Sequence, residues 1–431
     1  MRTIKHIALD DASEFKSHLL HWSRQFQEVV WLDSNADDNF PNRRYPSFDH
    51  LLAVDALTSV KTDYQGAFDT LEEYRTTTGD WIFGYLTYDL KNDLEPLTSG
   101  NFDGLHFPDL YFFQPKKLFL IIEDKLELHY LHFVADEMED DIKEIMSFKA
   151  ESTKGKKPSI HSRISKEAYI TKVEKMLQHI QLGDIYEANF CQEFFAEDAV
   201  IDPFETFEKL NTISAPPFAA FVKLESYYLL SASPERYLKK EKQKIISQPI
   251  KGTARRADSL EEDTALAEAL KADPKERSEN IMITDLVRND LSRTATIGSV
   301  SVDELCGLYT FKQVHQLITT ITSTVSEQTT ITDVLKTTFP MGSMTGAPKT
   351  SAMKIIEALE ETKRGLYSGS VGYISPEGYA DFNVIIRSIL YNEENKYLSF
   401  SVGSAITSLS QPEKEYEECL LKAKAMREVL S

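Results

Sequence analysis

Strand-like apolar runs recur along this chain without the regular alternation with helices that a doubly wound fold requires. Three of them, at 81–86, 118–122 and 126–133, are rich in aromatic and β-branched residues and are bounded by charged residues or Gly/Asp turns, a pattern typical of strands. Further along, helical and strand-like segments are mixed, and the sequence has neither a Gly-x-Gly-x-x-Gly nor a Walker phosphate-binding motif. The pattern predicts an α+β fold built on antiparallel sheets.

The composition excludes several classes of function. The sequence has no apolar stretch of about 18 residues, so we expect no membrane span, and its N-terminus turns acidic before any signal-peptide core develops. Cys191, Cys306 and Cys419 are far apart and lack metal-ligand spacing, which predicts reduced thiols in a cytoplasmic protein. The net charge of −20 argues against a nucleic-acid surface.

A polar, basic segment at 148–164 is the best linker candidate. It predicts an N-terminal region at 1–147 and a catalytic region at 165–431, interleaved in one globular unit. Ser165 is placed to cap a helix with its apolar residues on one face, and Gly183 is placed to end it.

Several carboxylates are candidates for a metal site. Glu415, Glu418 and Lys422 are spaced i, i+3, i+7 and share one face of a helix predicted over 413–429. Such a pair of carboxylates is able to hold Mg²⁺, and the alternative is an exposed helix with ordinary Glu–Lys pairs. Glu279, near the start of another predicted helix, is either a metal ligand or a capping carboxylate.

Other candidate groups lie between these carboxylates. The segment 339–349 runs Gly/Ser/Thr-rich into a helix near Pro348, which is either an anion-binding loop or a plain turn. Lys251 is either a buried lysine able to act as a nucleophile or a surface side chain. Glu235 follows a strand as a general acid or as part of a turn, and His315 is either a substrate contact or a core histidine.

Five segments of the sequence occur in the order typical of the chorismate-utilising enzymes, which this sequence resembles over roughly 165–430. The resemblance implies two facing β-sheets with surrounding helices and an active site in a cleft between them. The matching segments are 249–253, 279–291, 342–349, 364–369 and 415–418.

The resemblance also implies roles for individual residues. Glu279 and Glu418, with Glu415 close by, match Mg²⁺ ligands that would hold the ring carboxylate of chorismate. Glu235 matches the general acid that helps the 4-hydroxyl leave, and His315 matches the active-site histidine. The implied substrate-binding residues are Tyr373 and Arg387 at the enolpyruvyl carboxylate, Gly342, Ser343, Thr345, Gly346 and Lys349 in the loop, and Thr253, Gly403 and Lys422.

Lys251 points to one branch of the family. In anthranilate synthases this position is typically Ala, whereas in aminodeoxychorismate synthases it is typically a Lys thought to attack ring carbon 2 before ammonia adds at carbon 4. The base lysine of isochorismate and salicylate synthases aligns at Glu187, so water activation is not expected. The rival hypotheses are an anthranilate synthase component I with a chance lysine, an isochorismate- or salicylate-forming enzyme, and a non-catalytic relative that binds tryptophan or a partner.

The sequence departs from the family pattern at one motif, and it also indicates an outside source of ammonia and an effector site. The family's Gly-Gly-Gly-Ile-Val stretch is 403–407 here, with Ala405 and Ser404 replacing glycines. None of the three cysteines lies in a nucleophile turn, so we expect ammonia to come from a separate glutamine amidotransferase subunit. Partial matches to the family's tryptophan pocket predict an effector site at Leu32, Asp33, Ser34, Pro217 and Phe218.

Overall fold

Long antiparallel strands form the framework of this chain. The computed structural model describes residues 1–35, 45–148, 156–312 and 314–431. Within them the strands are β1 (Arg2–Ala8), β2 (Glu28–Asp33), β3 (His50–Thr62), β4 (Ile82–Leu86), β5 (Leu110–Ile122), β6 (Lys125–Leu131), β7 (His161–Ser162), β8 (Glu187–Ala196), β9 (Phe218–Leu224), β10 (Tyr227–Ser233), β11 (Arg236–Glu241), β12 (Lys244–Gln248), β13 (Ile250–Arg255), β14 (Ser301–Thr310), β15 (Val314–Thr324), β16 (Gly346–Ala347), β17 (Ser370–Ile374), β18 (Ala380–Asn383), β19 (Ser388–Asn392) and β20 (Tyr397–Thr407).

Helices cover the outer faces of this framework. They are α1 (Ala12–Trp22), α2 (Ala67–Thr78), α3 (Lys91–Leu94), α4 (Met138–Ser147), α5 (Lys166–Leu182), α6 (Pro203–Ser214), α7 (Leu260–Ala272), α8 (Pro274–Ser292), α9 (Ile331–Thr338), α10 (Lys349–Leu359), α11 (Pro412–Lys422) and α12 (Lys424–Val429). Of the helices that the described residues form, none is both long and apolar enough to cross a membrane.

The strands form two wings that share β5. The first wing runs β1-β6-β5-β3-β2-β9-β10-β19-β20-β8-β7. The second runs β5-β4-β17-β18-β11-β12-β15, and β15 also pairs with β13 and β14. Each wing joins a block of strands from 1–147 to a block from the later part of the chain, through the pairing of β2 with β9 in the first wing and of β4 with β17 in the second.

Side-chain alternation along the strands divides the core into two layers. Val30 and Leu32 belong to the apolar cluster that also contains Phe83 of the second wing. Val29 and Trp31, one residue out of step, point to the opposite face and pack with helices such as α1 and α5. The wings therefore face each other, which confirms the predicted α+β arrangement of facing sheets with surrounding helices.

Local signals account for the ends of the helices. The Ser165 side chain accepts a hydrogen bond from the Ala168 amide, and Gly183 ends α5 with a positive φ of 84°, as predicted. The helix predicted over 413–429 is interrupted at Ala423, which separates α11 from α12. The linker predicted at 148–164 falls partly on residues 149–155, outside the described residues, and its described part contains β7.

Candidate active site

A buried ion pair between Lys251 and Glu187 lies at the centre of the candidate site. Lys251 Nζ, on β13, donates to Glu187 Oε1, at the start of β8, over 2.9 Å. The two side chains are 11% and 2% exposed, so the surface alternative for Lys251 is wrong. Within the described part of the chain, Glu187 Oε2 is buried without a hydrogen-bond partner. This pair was not predicted from the sequence. The signal that could have pointed to it is Glu187, a charged residue at the start of a strand that is buried along nearly all of its length.

Carboxylates from several elements determine the protonation state of Lys251. Burial disfavours the charged amine, but Glu187, Glu279 and Glu235 outweigh burial and raise the pKa of Lys251 above its usual value. Lys251 is therefore an ammonium at neutral pH, and it must give up a proton before it can attack an electrophile.

Glu235 faces the same centre from the turn between β10 and β11. Its side chain is almost completely buried, and burial raises the pKa of Glu235 to about 7, although a hydrogen bond from Ser343 and the charge of Lys251 oppose the shift. The Val384 amide donates to the Glu235 carbonyl at 3.0 Å and fixes the turn. A carboxyl group that is partly protonated near neutral pH is suited to general acid catalysis.

A second group of carboxylates surrounds Lys275. Its ammonium lies 3.8 Å from Glu279 Oε1 and 3.6 Å from Glu415 Oε1, and Ser404 donates to the other Glu415 oxygen. Glu279 Oε1 is buried without a hydrogen-bond partner among the described residues. Burial also raises the pKa of Glu279 to about 7. Because Glu279 and Glu415 are buried negative charges, they favour a cation between them, and Lys275 supplies that charge here.

Glu418 lies on α11 beside this group. Lys422 Nζ contacts Glu418 Oε1 at 2.7 Å and donates to the Gly403 carbonyl at 2.9 Å. Gly403 allows a close approach of strands, because a Cβ there would lie 2.5 Å from the Asn189 side-chain oxygen. These contacts bring the predicted residues Glu418, Lys422 and Gly403 together at one end of α11.

The acidic residues that the described ranges contain do not form a finished metal cage. In the described ranges, no three His, Cys, Asp or Glu side chains are close enough together to form a ready-made metal site. Mg²⁺ often uses only one or two carboxylates and keeps several waters. Glu279, Glu415 and Glu418 would hold it, and the buried Glu279 oxygen that lacks a partner fits that role.

The Gly/Ser/Thr loop at 339–349 lies against Glu235 and against the start of β8. It forms a short 3₁₀ turn at Gly342–Met344 and then β16, which pairs with the start of β8. A Cβ at Gly346 would lie 2.1 Å from the Glu187 carbonyl oxygen, so only glycine fits there. Ser343 contacts Glu235, while the Thr345 hydroxyl donates to carbonyls within the loop.

Lys349 does not join the residues around Lys251. Its Nζ donates to Asp290 Oδ2 at 2.6 Å and to the Thr338 carbonyl at 3.0 Å. These two partners lie on α8 and at the end of α9, so the bonds anchor the start of α10, where the loop ends. Its assignment as a substrate-binding residue stays a prediction.

Tyr373 and Arg387 lie in different surroundings. Tyr373 packs with Phe48, Trp81 and Phe83, because odd-numbered side chains of β17 face the space between the wings. Burial lowers the pKa of Arg387, and Glu235 opposes this shift, which places Arg387 near the Glu235 carboxyl group. The structure places Tyr373 among these aromatic side chains, and its joint contact with Arg387 on one substrate carboxylate stays a prediction.

His315 lies on β15, opposite Ala254 of β13. Its ring contacts Asp263 on α7 at 3.0 Å and Thr310 at 3.0 Å, and Arg256 pairs with the same Asp263. These contacts fit the core-histidine alternative, and a contact of His315 with substrate stays a prediction. Thr253 is exposed on β13, where it pairs with Gln316 of β15.

The five predicted effector residues line one cavity. The cavity and its opening enclose about 840 Å³, and its walls include Leu32, Asp33, Ser34, Pro217 and Phe218 together with Tyr373. Asp33 also pairs with Lys16 at 2.7 Å. The five residues therefore share one cavity, whose walls also include Arg236 and Ile250, the chain neighbours of Glu235 and Lys251, and the binding of an effector there stays a prediction.

Known proteins resemble this chain over most of its length. Anthranilate synthase component 1 of Thermus thermophilus is 34% identical over 357 residues, covering 80% of this chain and 76% of that protein. Aminodeoxychorismate synthase component 1 of Escherichia coli is 40% identical over 257 residues, covering 60% of this chain and 56% of that protein. The match thus spans just over half of the Escherichia coli relative.

A solved structure and a family model extend these likenesses. The crystal structure of anthranilate synthase component I from Streptococcus pneumoniae superposes with a TM-score of 0.79 and 25% identity, covering 89% of this chain and 93% of that one. The family model described as chorismate binding enzyme matches residues 20–428. The resemblance carried by the motifs is thereby confirmed, and the chain belongs to the chorismate binding enzyme family.

Proposed function

We propose that this chain is the aminating component of an aminodeoxychorismate synthase, which converts chorismate and ammonia to 4-amino-4-deoxychorismate. The observation that carries the proposal is the burial of Lys251 among catalytic carboxylates, with its Nζ 2.9 Å from Glu187. Amination at ring carbon 2, as in anthranilate synthesis, needs no lysine at this place. The product would serve 4-aminobenzoate and folate synthesis after a lyase removes pyruvate.

Two side chains carry the bond changes. Lys251 attacks ring carbon 2 while Glu235 protonates the departing 4-hydroxyl, and ammonia then adds at carbon 4 as the lysine leaves. The pKa of about 7 that burial gives Glu235 suits a group that donates a proton and later accepts one near neutral pH. Ser343 holds the Glu235 carboxyl group in place.

Charge complementarity supports the binding of chorismate between these groups. Chorismate carries two carboxylates, and Arg387 near Glu235 is a cation for the enolpyruvyl carboxylate. Glu279, Glu415 and Glu418 would hold Mg²⁺, which supplies positive charge for the ring carboxylate. Lys422 adds positive charge at the same end of α11.

The same proposal includes a source of ammonia and a cellular compartment. Free ammonia is scarce at neutral pH, and the name component 1 of the Escherichia coli relative supports a second component, which we propose to be a glutamine amidotransferase. The three cysteines of the chain are unpaired and buried, which supports a reducing, cytoplasmic setting.

Anthranilate synthase component I is the second candidate. It is favoured by the Thermus thermophilus relative, whose match covers 80% of this chain, more than the Escherichia coli aminodeoxychorismate synthase match covers. Lys251 discriminates between the candidates, because a nucleophilic lysine has a role only in amination at carbon 4.

The test is product identification. Purified chain is incubated with chorismate, Mg²⁺ and ammonium at mildly alkaline pH, and products are identified by mass and by fluorescence. We expect the mass of aminodeoxychorismate, convertible to 4-aminobenzoate by added lyase, and loss of that product in the variant Lys251→Ala. Anthranilate as the product would overturn the proposal, and unchanged chorismate, with and without added glutaminase, would favour a non-catalytic relative.

The cavity between the wings is a proposed effector site. Aromatic side chains such as Tyr373 and Phe218 and the carboxylate of Asp33 line it. Apolar walls with a few fixed polar groups suit a small amphipathic molecule, and tryptophan is the effector that the motif resemblance implies.

A further inference from the structure

Glu187, the ion-pair partner of Lys251, lies close enough to exchange a proton with the lysine. Glu187 is 2% exposed, and one of its oxygens bonds Lys251 Nζ while the other is buried without a hydrogen-bond partner among the described residues. A carboxylate retained only for packing would normally have both oxygens satisfied, since burying an unpaired acceptor is costly. The second oxygen of Glu187 therefore has acceptor capacity that the fold does not use.

The lysine cannot react in the state in which the fold holds it. Its charged form is favoured by Glu187 on β8, by Glu235 after β10 and by Glu279 on α8. Glu276 on α8 and Glu418 on α11 also interact with it electrostatically. An ammonium has no lone pair, so nucleophilic attack requires a proton acceptor within hydrogen-bond reach of Nζ. Among the described residues, Glu187 is the one carboxylate within 4.0 Å of that nitrogen.

We propose that Glu187 is the general base that takes the proton from Lys251 before attack and returns it when the lysine leaves. This inference rests on the proposed function, because it assumes that Lys251 is a nucleophile. It assigns a catalytic role to a residue that the motifs marked only as the replacement for another enzyme's base. In this chain the carboxylate activates a lysine instead of a lysine activating water.

The first half-reaction balances with these two carboxyl groups. An Nζ–H bond of Lys251 breaks and its proton goes to Glu187, which frees the nitrogen lone pair. A bond forms from Nζ to ring carbon 2, the two ring double bonds shift, and the carbon 4–oxygen bond breaks. The departing hydroxyl takes the proton of Glu235 and leaves as water, so Glu187 is now protonated and Glu235 is ionised.

The second half-reaction restores both groups. Ammonia forms a bond to carbon 4, the double bonds shift back, and the bond between carbon 2 and Nζ breaks. Glu187 returns its proton to the leaving lysine, and Glu235 takes a proton from the new ammonium at carbon 4. The net change is chorismate plus ammonia giving the amino product plus water, with the starting protonation of Lys251, Glu187 and Glu235 regained.

The kinetic test compares Glu187→Gln with Glu187→Asp. The wild-type chain and both variants are mixed with chorismate and Mg²⁺ without ammonium, quenched at short times, and the adduct on Lys251 is measured by mass across a pH series. We expect Glu187→Gln to slow adduct formation by about 10²–10³-fold at neutral pH, and Glu187→Asp to recover part of that loss. The ratio of the Glu187→Gln rate to the wild-type rate should rise with pH, because hydroxide then replaces the missing base.

A labelling measurement tests the pair without any turnover. The rate at which a small acylating reagent modifies each lysine is followed against pH by peptide mass analysis. We expect Lys251 to become reactive at lower pH in Glu187→Gln than in the wild-type chain, because its nearest negative partner is gone. Lys117, which burial and the carboxylates Asp141 and Glu137 hold in a similar way, is the internal control and should not change.

Three results would contradict the proposed role of Glu187 or of Lys251. A Glu187→Gln variant with a wild-type rate of adduct formation, or with a rate ratio that does not change with pH, would overturn the role of Glu187. Unchanged labelling of Lys251 in that variant would overturn it as well. Absence of any Lys251 adduct in the wild-type chain, with the labelling shift present, would remove the lysine mechanism and leave the pairing intact.

Discussion

Lys349 and Asp290 form a buried ion pair of 2.6 Å that ties the start of α10 to α8. The side chains are 15% and 7% exposed, and Lys349 also donates to the Thr338 carbonyl. Removing one member of such a pair leaves an uncompensated buried charge, which typically costs about 3–5 kcal/mol. The pair therefore determines where the loop that carries Ser343 can lie.

Lys349→Met tests this anchoring role. We expect the free energy of unfolding to fall by about 3–5 kcal/mol in urea titrations, while the KM for chorismate of the folded protein stays near the wild-type value. The double variant Lys349→Met/Asp290→Leu should recover much of the stability, because no charge is left buried alone. A strongly raised KM with unchanged stability would instead restore Lys349 as a substrate contact.

The alkaline limb of the pH–rate profile should depend on Glu235. Burial raises the pKa of Glu235 to about 7, and a general acid must be protonated, so kcat/KM should fall as pH rises through about 7. Glu235→Gln should lower the rate by about 10²–10⁴-fold and remove this limb from the pH profile. A profile that keeps the same limb in Glu235→Gln would assign it to another group.

Ser343→Ala provides a directional test of the same carboxyl group. The Ser343 hydrogen bond favours the ionised form and so lowers the pKa of Glu235. Its removal should raise that pKa, keep Glu235 protonated to higher pH and move the falling limb upward. Thr345→Ser, in the same loop but with its hydroxyl bonded to loop carbonyls, is the matched control, and its limb should not move.

Local signals explain which elements were predictable from sequence. The helix between Ser165 and Gly183 was predicted because its cap, its apolar face and its terminator all lie within twenty consecutive residues. The facing sheets followed from the resemblance and from strand-like runs with no βαβ alternation. The order of strands within the wings was not predictable, since β2 pairs with β9 through contacts that no local pattern encodes.

The same distinction between local and long-range signals applies to the predicted site residues. Lys251 and Glu235 were identified by motif and are both buried at one centre. Tyr373 was assigned to that centre, although the register of β17 turns it toward the cavity between the wings. Glu187 and Lys251 are 64 positions apart, and only the folded chain brings a carboxylate to the lysine.

Mg²⁺ binding should respond in opposite directions to two substitutions on α8. Glu279→Gln removes a buried acceptor and should weaken Mg²⁺ binding by at least about tenfold, or ~1.4 kcal/mol. Lys275→Met removes the ammonium that lies between Glu279 and Glu415 and should tighten binding. Calorimetric titration with Mg²⁺ alone measures both, and equal affinities in all three proteins would place the ion elsewhere.

The cavity between the wings should bind tryptophan independently of catalysis. Phe218 and the aromatic group around Tyr373 line it, and an aromatic contact of this kind contributes about 0.5–1.5 kcal/mol beyond its buried area. Phe218→Ala should therefore weaken binding of L-tryptophan by up to about tenfold in calorimetry, whereas Lys251→Ala, at the other centre, should leave it unchanged. No heat with millimolar tryptophan in the wild-type chain would remove the effector hypothesis, and heat that Lys251→Ala abolishes would mean that tryptophan occupies the chorismate site.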